Sequence, residues 1–231
     1  MTTKCFSNVC FAIRERFTLN TIYDIGAHKG FWSQEHSRIL VTPKFHMFEA
    51  NPDLKDPQNG HTWHSVPLSR TTENRSFYAR NGTGDSFYRE QSIYYNEAIQ
   101  PITLQTQTLD FYTKSNDIPA PDVIKIDTQG SELDILEGAV RSLVSCKVLL
   151  IEAPVLSYNK GAPRFDDYID KVIAIGFVPI GVEEIHVIDG TLIQIDLVCV
   201  KKEIHEDLFA KHKFLDDKLF KSKNSASVLV L

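Results

Sequence analysis

Short runs rich in Ile, Val and Phe alternate along most of the chain with longer stretches whose apolar residues recur every three to four positions. Compact apolar runs between polar breaks suit strands buried on both faces, and the periodic stretches suit helices laid against them. The pattern therefore predicts an α/β fold with a largely parallel sheet. Strands are expected at 21–25, 45–49, 64–68, 122–127, 148–152, 177–182 and 192–200. The last two flank Asp189-Gly190, a hairpin-type turn, so the sheet is expected to end in an antiparallel pair. The clearest helix covers 131–145, with Leu133, Leu136, Ala139, Val140 and Leu143 on its buried face and Ser131 with Asp134 as its N-terminal cap. Another covers 165–175 and stops at Gly176. A docked helix is expected over 205–220, through Leu208, Phe209, Leu215 and Leu219. The polar stretch 53–96 reads as loops near a site, with edge strands at 76–79 and 102–105, and 82–96 is a candidate lid.

Composition narrows the class. A chain of 231 residues suits a single domain, here a core over about 20–202 with a helical tail at 203–231. With 42% hydrophobic and 24% charged residues, disordered and collagenous classes are excluded. The formal net charge of −5 argues against a nucleic-acid partner. Cys5, Cys10, Cys146 and Cys199 are scattered, which fits a reducing, cytoplasmic setting. No apolar stretch has the length of a signal or a membrane span, so no membrane partner is expected. Neither the cysteines nor His61 and His64 have metal-ligand spacing, and no metal site is assigned.

The candidate chemistry gathers where strands end. The first strand leads into Asp24-Ile25-Gly26-Ala27-His28-Lys29-Gly30, a glycine-bearing turn before a helix, where backbone N–H groups can approach a nucleotide-like ligand. Only two glycines are present, so the G-x-G-x-x-G dinucleotide fingerprint is absent, and so is a P-loop. The second strand ends in Phe48-Glu49-Ala50-Asn51-Pro52, which places an acid where such folds bind ribose hydroxyls. Glu49 alone is equally a solvated strand-end carboxylate; the preceding glycine turn favours ribose.

Together with Ile124-Lys125-Ile126-Asp127-Thr128-Gln129-Gly130-Ser131-Glu132-Leu133, Leu136-Glu137-Gly138-Ala139 and Leu150-Ile151-Glu152, and with Gly176-Phe177 and Gln194-Ile195-Asp196 as later landmarks, these blocks resemble the FkbM family of S-adenosylmethionine-dependent methyltransferases, over roughly 22–201. The resemblance implies a class I methyltransferase fold: a Rossmann-like, mostly parallel seven-stranded sheet whose last strand is antiparallel. It implies S-adenosylmethionine as cofactor, with Asp24, Gly26, Ala27 and Gly30 around its methionine part, Glu49 on the ribose with help from Asn51, and Leu68 and Ser69 beside the adenine.

Methyl transfer to a hydroxyl needs alignment of the acceptor oxygen and a route for its proton. Asp127 and Glu152, at the ends of adjacent predicted strands, could serve as base and orienter or hold a divalent cation; either could equally cap a helix or pair with a lysine. His28, in the glycine turn, and His186, in the late turn region, are further candidate bases, though a solvated or helix-capping histidine is the commoner fate. The family's usual Val-Glu-Gly-Ala-Glu is here Thr128-Gln129-Gly130-Ser131-Glu132, and Gln129 can neither take a proton nor offer a charged ligand, which weakens the metal reading. The expected function is O-methylation of a sugar, glycan or small metabolite. A cofactor-binding protein without turnover is the alternative, and a nucleic-acid methyltransferase is disfavoured by the charge. Tyr94, Tyr95, Tyr158, Asn159, Trp63 and Phe87 are candidates for contacts with a sugar.

Overall fold

The computed structural model describes residues 5–79, 83–93, 95 and 98–209. In chain order the elements are α1 (Cys5–Arg14), β1 (Thr21–Ile25), α2 (Phe31–Ile39), β2 (Lys44–Glu49), β3 (Thr62–Ser65), β4 (Asn74–Phe77), β5 (Ile102–Gln105), α3 (Leu109–Ser115), β6 (Val123–Ile126), α4 (Glu132–Glu137), α5 (Ser142–Ser145), β7 (Val148–Pro154), α6 (Phe165–Ala174), β8 (Phe177–Ile188), β9 (Thr191–Lys201) and α7 (Lys202–Ile204). Seven strands form one sheet in the order β3-β2-β1-β6-β7-β9-β8, and β4 pairs with β5 separately. The neighbours from β3 to β7 are parallel, and β9 runs antiparallel to both β7 and β8. This is the class I methyltransferase arrangement that the resemblance implies. No helix among the described residues is long and apolar enough to cross a membrane.

Strand alternation divides the core. On one face Tyr23, Ile25, Phe48, Ile124, Ile126, Leu149, Ile151 and Leu197 pack with α4, α5 and α6; on the other Ile22, Phe45, Val123, Leu150, Val198 and Val200 pack with α1. The second face changes character toward the carboxyl ends of the parallel strands. Two residues on from Ile22 stands Asp24; after Val123 come Lys125 and Asp127; after Leu150 comes Glu152; and beside Val198 is Asp196. Because side chains return to one face every second residue, these charged groups gather at one edge of an apolar layer. The hairpin of β8 and β9, turning at Asp189-Gly190, extends beyond the end of β7 at the same edge, since β7 stops at the Pro154–Gln194 pair.

Several expectations are corrected. The strand placed at 64–68 is β3 at Thr62–Ser65, because pairing begins at His46 with Thr62 and Pro67 has no N–H to continue a ladder; Leu68 makes only an isolated bridge to Gln107. The single helix at 131–145 is two. Gly138 lies so close to Ser69 that a Cβ would sit 2.4 Å from its carbonyl oxygen, and Asp110 captures the N–H groups of Arg141 and Ser142 at 2.6 and 2.9 Å, starting α5 afresh. The break leaves Val140 exposed rather than buried. Ser131 makes no side-chain cap; the Glu132 carboxylate instead accepts the N–H groups of Thr128 and Gly130. After α7 the chain enters a π-turn at His205–Phe209, and the rest of the expected tail helix lies outside the described residues. So do Gly82, Tyr94 and Asn96 of the candidate lid.

Candidate active site

The charged edge of the sheet opens on a cavity of about 630 Å³, within the range of ~300–1,000 Å³ common for small-molecule clefts. Lys125 is buried beneath it, with its Nζ 3.1 Å from Asp24 Oδ1, 3.4 Å from Asp127 Oδ2 and 3.2 Å from the Gly26 carbonyl. Burial works against its charge, but Asp24 and Asp127 outweigh that and raise its pKa. Asp24 is fully buried, and its Oδ2 also accepts the Ser33 hydroxyl of α2 at 2.7 Å, so this carboxylate ties β1, β6 and α2 together.

Above Lys125 three carboxyl groups stand side by side on β6, β7 and β9. Glu152 and Asp196 are direct cross-strand partners, and Asp127 follows the Ile126–Ile151 pair. Burial of Asp127 opposes its ionisation, yet Lys125 and the hydrogen bond from Gln129 hold its carboxyl below the ordinary range. Glu152 goes the other way: burial, then the charges of Asp127, Glu132 and Asp196, push it well above the ordinary range. Asp196 is pushed up to about 7, first by burial and then by Asp127. Gln129 sits between the first two. Its Nε2 donates to Asp127 Oδ1 at 3.2 Å and to Glu152 Oε2 at 2.6 Å, while Gln194 Nε2 donates to Glu152 Oε1. Tyr158 Oη lies 3.0 Å from Gln129 Oε1 and 2.7 Å from Gln194 Oε1. An amide N–H therefore fills the place between the carboxyl groups that a divalent cation would need, and these residues do not fit one. Among the described residues no group of three or more His, Cys, Asp or Glu is arranged to hold a metal ion.

Along the same edge, on the other side of Asp127 from Glu152, the glycine turn and the end of β2 meet. Gly26 has φ of +76°, and a Cβ there would lie 1.8 Å from the Asp127 carbonyl oxygen, so the turn and the end of β6 touch only because the side chain is missing. Glu49 is buried, its Oε2 accepting the His28 N–H at 2.7 Å and its Oε1 the Asn51 N–H at 2.8 Å. Burial raises its carboxyl, and those two N–H groups offset part of the rise. Each oxygen keeps a lone pair for a ligand hydroxyl. Phe48, Val66, Leu68 and Ile135 form an apolar wall, where the Ser131 hydroxyl is buried without a hydrogen-bond partner. An apolar wall with an unpaired hydroxyl, beside a buried carboxylate, suits a nucleoside.

A family model described as the methyltransferase FkbM domain matches residues 24–179. The chain belongs to the FkbM methyltransferase family. Among curated relatives, the hexuronic acid methyltransferase AglP of Haloferax volcanii is 26% identical over 139 residues, which is 58% of this chain and 55% of that protein. Among solved structures, an FkbM methyltransferase of Methylobacillus flagellatus is 20% identical with a TM-score of 0.49, covering 79% of this chain and 44% of that one. The magnesium protoporphyrin IX methyltransferase of Synechocystis, solved with bound S-adenosylmethionine, is 8% identical with a TM-score of 0.48, covering 84% of this chain and 76% of that one. The chain thus spans about half the length of the curated relative and less than half of the FkbM structure.

Within this FkbM domain the residues singled out from sequence fall into two groups. Gly26, His28, Glu49, Leu68, Asp127 and Glu152 line the cavity. Asp24, Ala27, Gly30, Asn51 and Ser69 stand behind its wall: Ala27 donates its N–H to the Phe48 carbonyl, Gly30 at φ +71° caps α2, and Ser69 accepts a hydrogen bond from Arg75. Asn51 reaches Asp85, itself a lining residue, through its side-chain amide. Desolvation lowers the pKa of His28, which stands at the Glu49 end of the cavity. Of the aromatic candidates, Tyr158 and Phe87 line the cavity, whereas Trp63 lies on β3 away from it and Tyr94 is outside the described residues. Sequence reasoning took Gln194 and Asp196 only as landmarks of the resemblance, with no site role, and did not single out Glu184. Strand alternation from Val198 back to Asp196 and Gln194 was the available signal.

Proposed function

We propose that this domain is an S-adenosylmethionine-dependent O-methyltransferase acting on a sugar, glycan or small hydroxylated metabolite. The observation that carries the reading is one cavity with a nucleoside-like slot at Glu49 and Ser131 and a row of carboxyl groups at the other end. S-adenosylmethionine, when bound, supplies an electrophilic methyl group. Glu49 accepts the ribose hydroxyls, Phe48, Val66, Leu68 and Ile135 hold the adenine, and the turn from Asp24 to Gly30 borders the methionine part. Asp127, kept ionised by Lys125, complements positive charge at the centre of the cavity. Asp196 accepts the proton of the acceptor hydroxyl, because a base whose pKa lies near the working pH combines the ionised form with useful proton affinity. Gln129 donates to both Asp127 and Glu152 and holds the two carboxyl groups in place.

The similarity to a hexuronic acid methyltransferase supports a sugar-like acceptor. The alternative of a domain without turnover rested on Gln129, but the structure gives that amide a defined task between Asp127 and Glu152. The test is transfer of isotopic methyl from S-adenosylmethionine to hydroxylated acceptors. Label on oxygen, lost in Asp196→Asn, is the expected result; label only on amine nitrogen, or cofactor bound without any transfer, contradicts it.

A further inference from the structure

Beyond Asp127 at the centre, Glu152, Asp196 and Glu184 follow across the sheet away from Glu49 and line the cavity; His186 lines it beside Glu184, its Nε2 3.5 Å from Glu184 Oε1, and no Lys or Arg lines it among the described residues. Lys125, directly beneath, already serves Asp24 and Asp127. Gln129, Gln194 and Tyr158 add neutral donors and acceptors, and Leu156, Val187 and Ile193 add apolar surface under the β8–β9 hairpin. A carboxylate brought here would lose its hydration, meet acidic groups and, among the described residues, find no lysine or arginine lining the cavity to pair with. A ring bearing several hydroxyls meets the opposite conditions. Carboxylate and amide oxygens accept from its hydroxyls, amide N–H groups donate to its oxygens, and the aliphatic surface covers its C–H face.

Resting on the methyltransferase reading above, we infer that the acceptor is an uncharged polyhydroxylated molecule, and that this domain discriminates against uronic acids, the acceptor class named for its Haloferax volcanii relative. The selectivity lies in the row of carboxyl groups on β6, β7, β8 and β9. Like-charge repulsion in a partly desolvated site is enough for a preference on the order of 100-fold in kcat/KM for a neutral sugar over its uronate.

The experiment uses the full chain and matched probes: methyl glycosides of glucose, galactose and mannose, and the methyl glycosides of the corresponding uronic acids. S-adenosylhomocysteine binding is measured first, by calorimetry, and methyl transfer is then followed for each pair. Label on a neutral glycoside with little or none on its uronate supports the inference. In Glu184→Lys the ratio should move by about tenfold toward the uronate, as a cation placed in the acceptor end would cause. Equal or better use of the uronate overturns the inference, as does an unmoved ratio in that variant. Intact S-adenosylhomocysteine binding with no transfer to any neutral glycoside overturns it too. Failure to bind S-adenosylhomocysteine strikes instead at the reading on which the inference rests.

Discussion

Lys125 is buried with one carboxylate on each side, Asp24 below and Asp127 toward the cavity, so its removal would leave two charges without their partner. Lys125→Met is expected to destabilise the fold by about 3–5 kcal/mol, read by urea denaturation, since breaking a buried pair costs more than the pair contributes. Asp196 gives a kinetic prediction. If it takes the acceptor proton, kcat/KM rises with pH up to about 7 and is flat above, and Asp196→Asn removes that limb along with most of the rate. An unchanged limb in Asp196→Asn would move the proton acceptor elsewhere. At this scale the sequence was legible where a residue type is unusual for its position: Glu49 and Asp127 end apolar strands. Asp196 was harder to single out because it sits inside a strand, and only the cross-strand pairing of β7 with β9 brings it beside Glu152.

The turn between β1 and α2 and the end of β6 fit together through Gly26. In Gly26→Ala both the positive φ and the contact with the Asp127 carbonyl would be violated, and we expect a loss of at least ~2–3 kcal/mol in stability together with loss of cofactor binding, measured by thermal melting and calorimetry. Asp110→Ala tests the break between α4 and α5. It removes two backbone hydrogen bonds at the start of α5 and should cost about 1–2 kcal/mol without altering cofactor affinity, because Asp110 lies outside the cavity. Strand β1 was readable to the residue, and β2, β6 and β7 nearly so, because strands buried on both faces leave apolar runs; β5, exposed along most of its length, was placed to the residue without such a run. The split helix was not. Its apolar spacing continues through Gly138, and what stops it is the Ser69 carbonyl and the Asp110 carboxylate, both distant in sequence.

Across the molecule, acidic groups whose pKa values burial raises set the response to pH. Glu152 and Asp196 have raised pKa values, so their contribution to stability is full below the ordinary carboxylate range and is lost as pH rises through the folded values, about 7 for Asp196. Asp127, whose pKa is lowered, contributes above the ordinary range and loses that contribution in acid. Melting temperature should therefore be higher near pH ~6 than near pH ~8, and Asp196→Asn should flatten the slope; a slope of the opposite sign would contradict the assignment of charges. The class of fold and both ends of the cavity could be anticipated from the spacing of Asp24, Glu49, Asp127 and Glu152. The acidic character of the acceptor end could not, because Glu184 and Asp196 reach it only through the hairpin. The central claim is that the Glu49 end of this cavity holds the nucleoside of the methyl donor, and calorimetric titration of wild type and Glu49→Ala with S-adenosylhomocysteine tests it most directly. Saturable binding to the wild type, weakened in the variant by about 1–3 kcal/mol, is the predicted result. Equal binding by both proteins, or binding by neither, would contradict it.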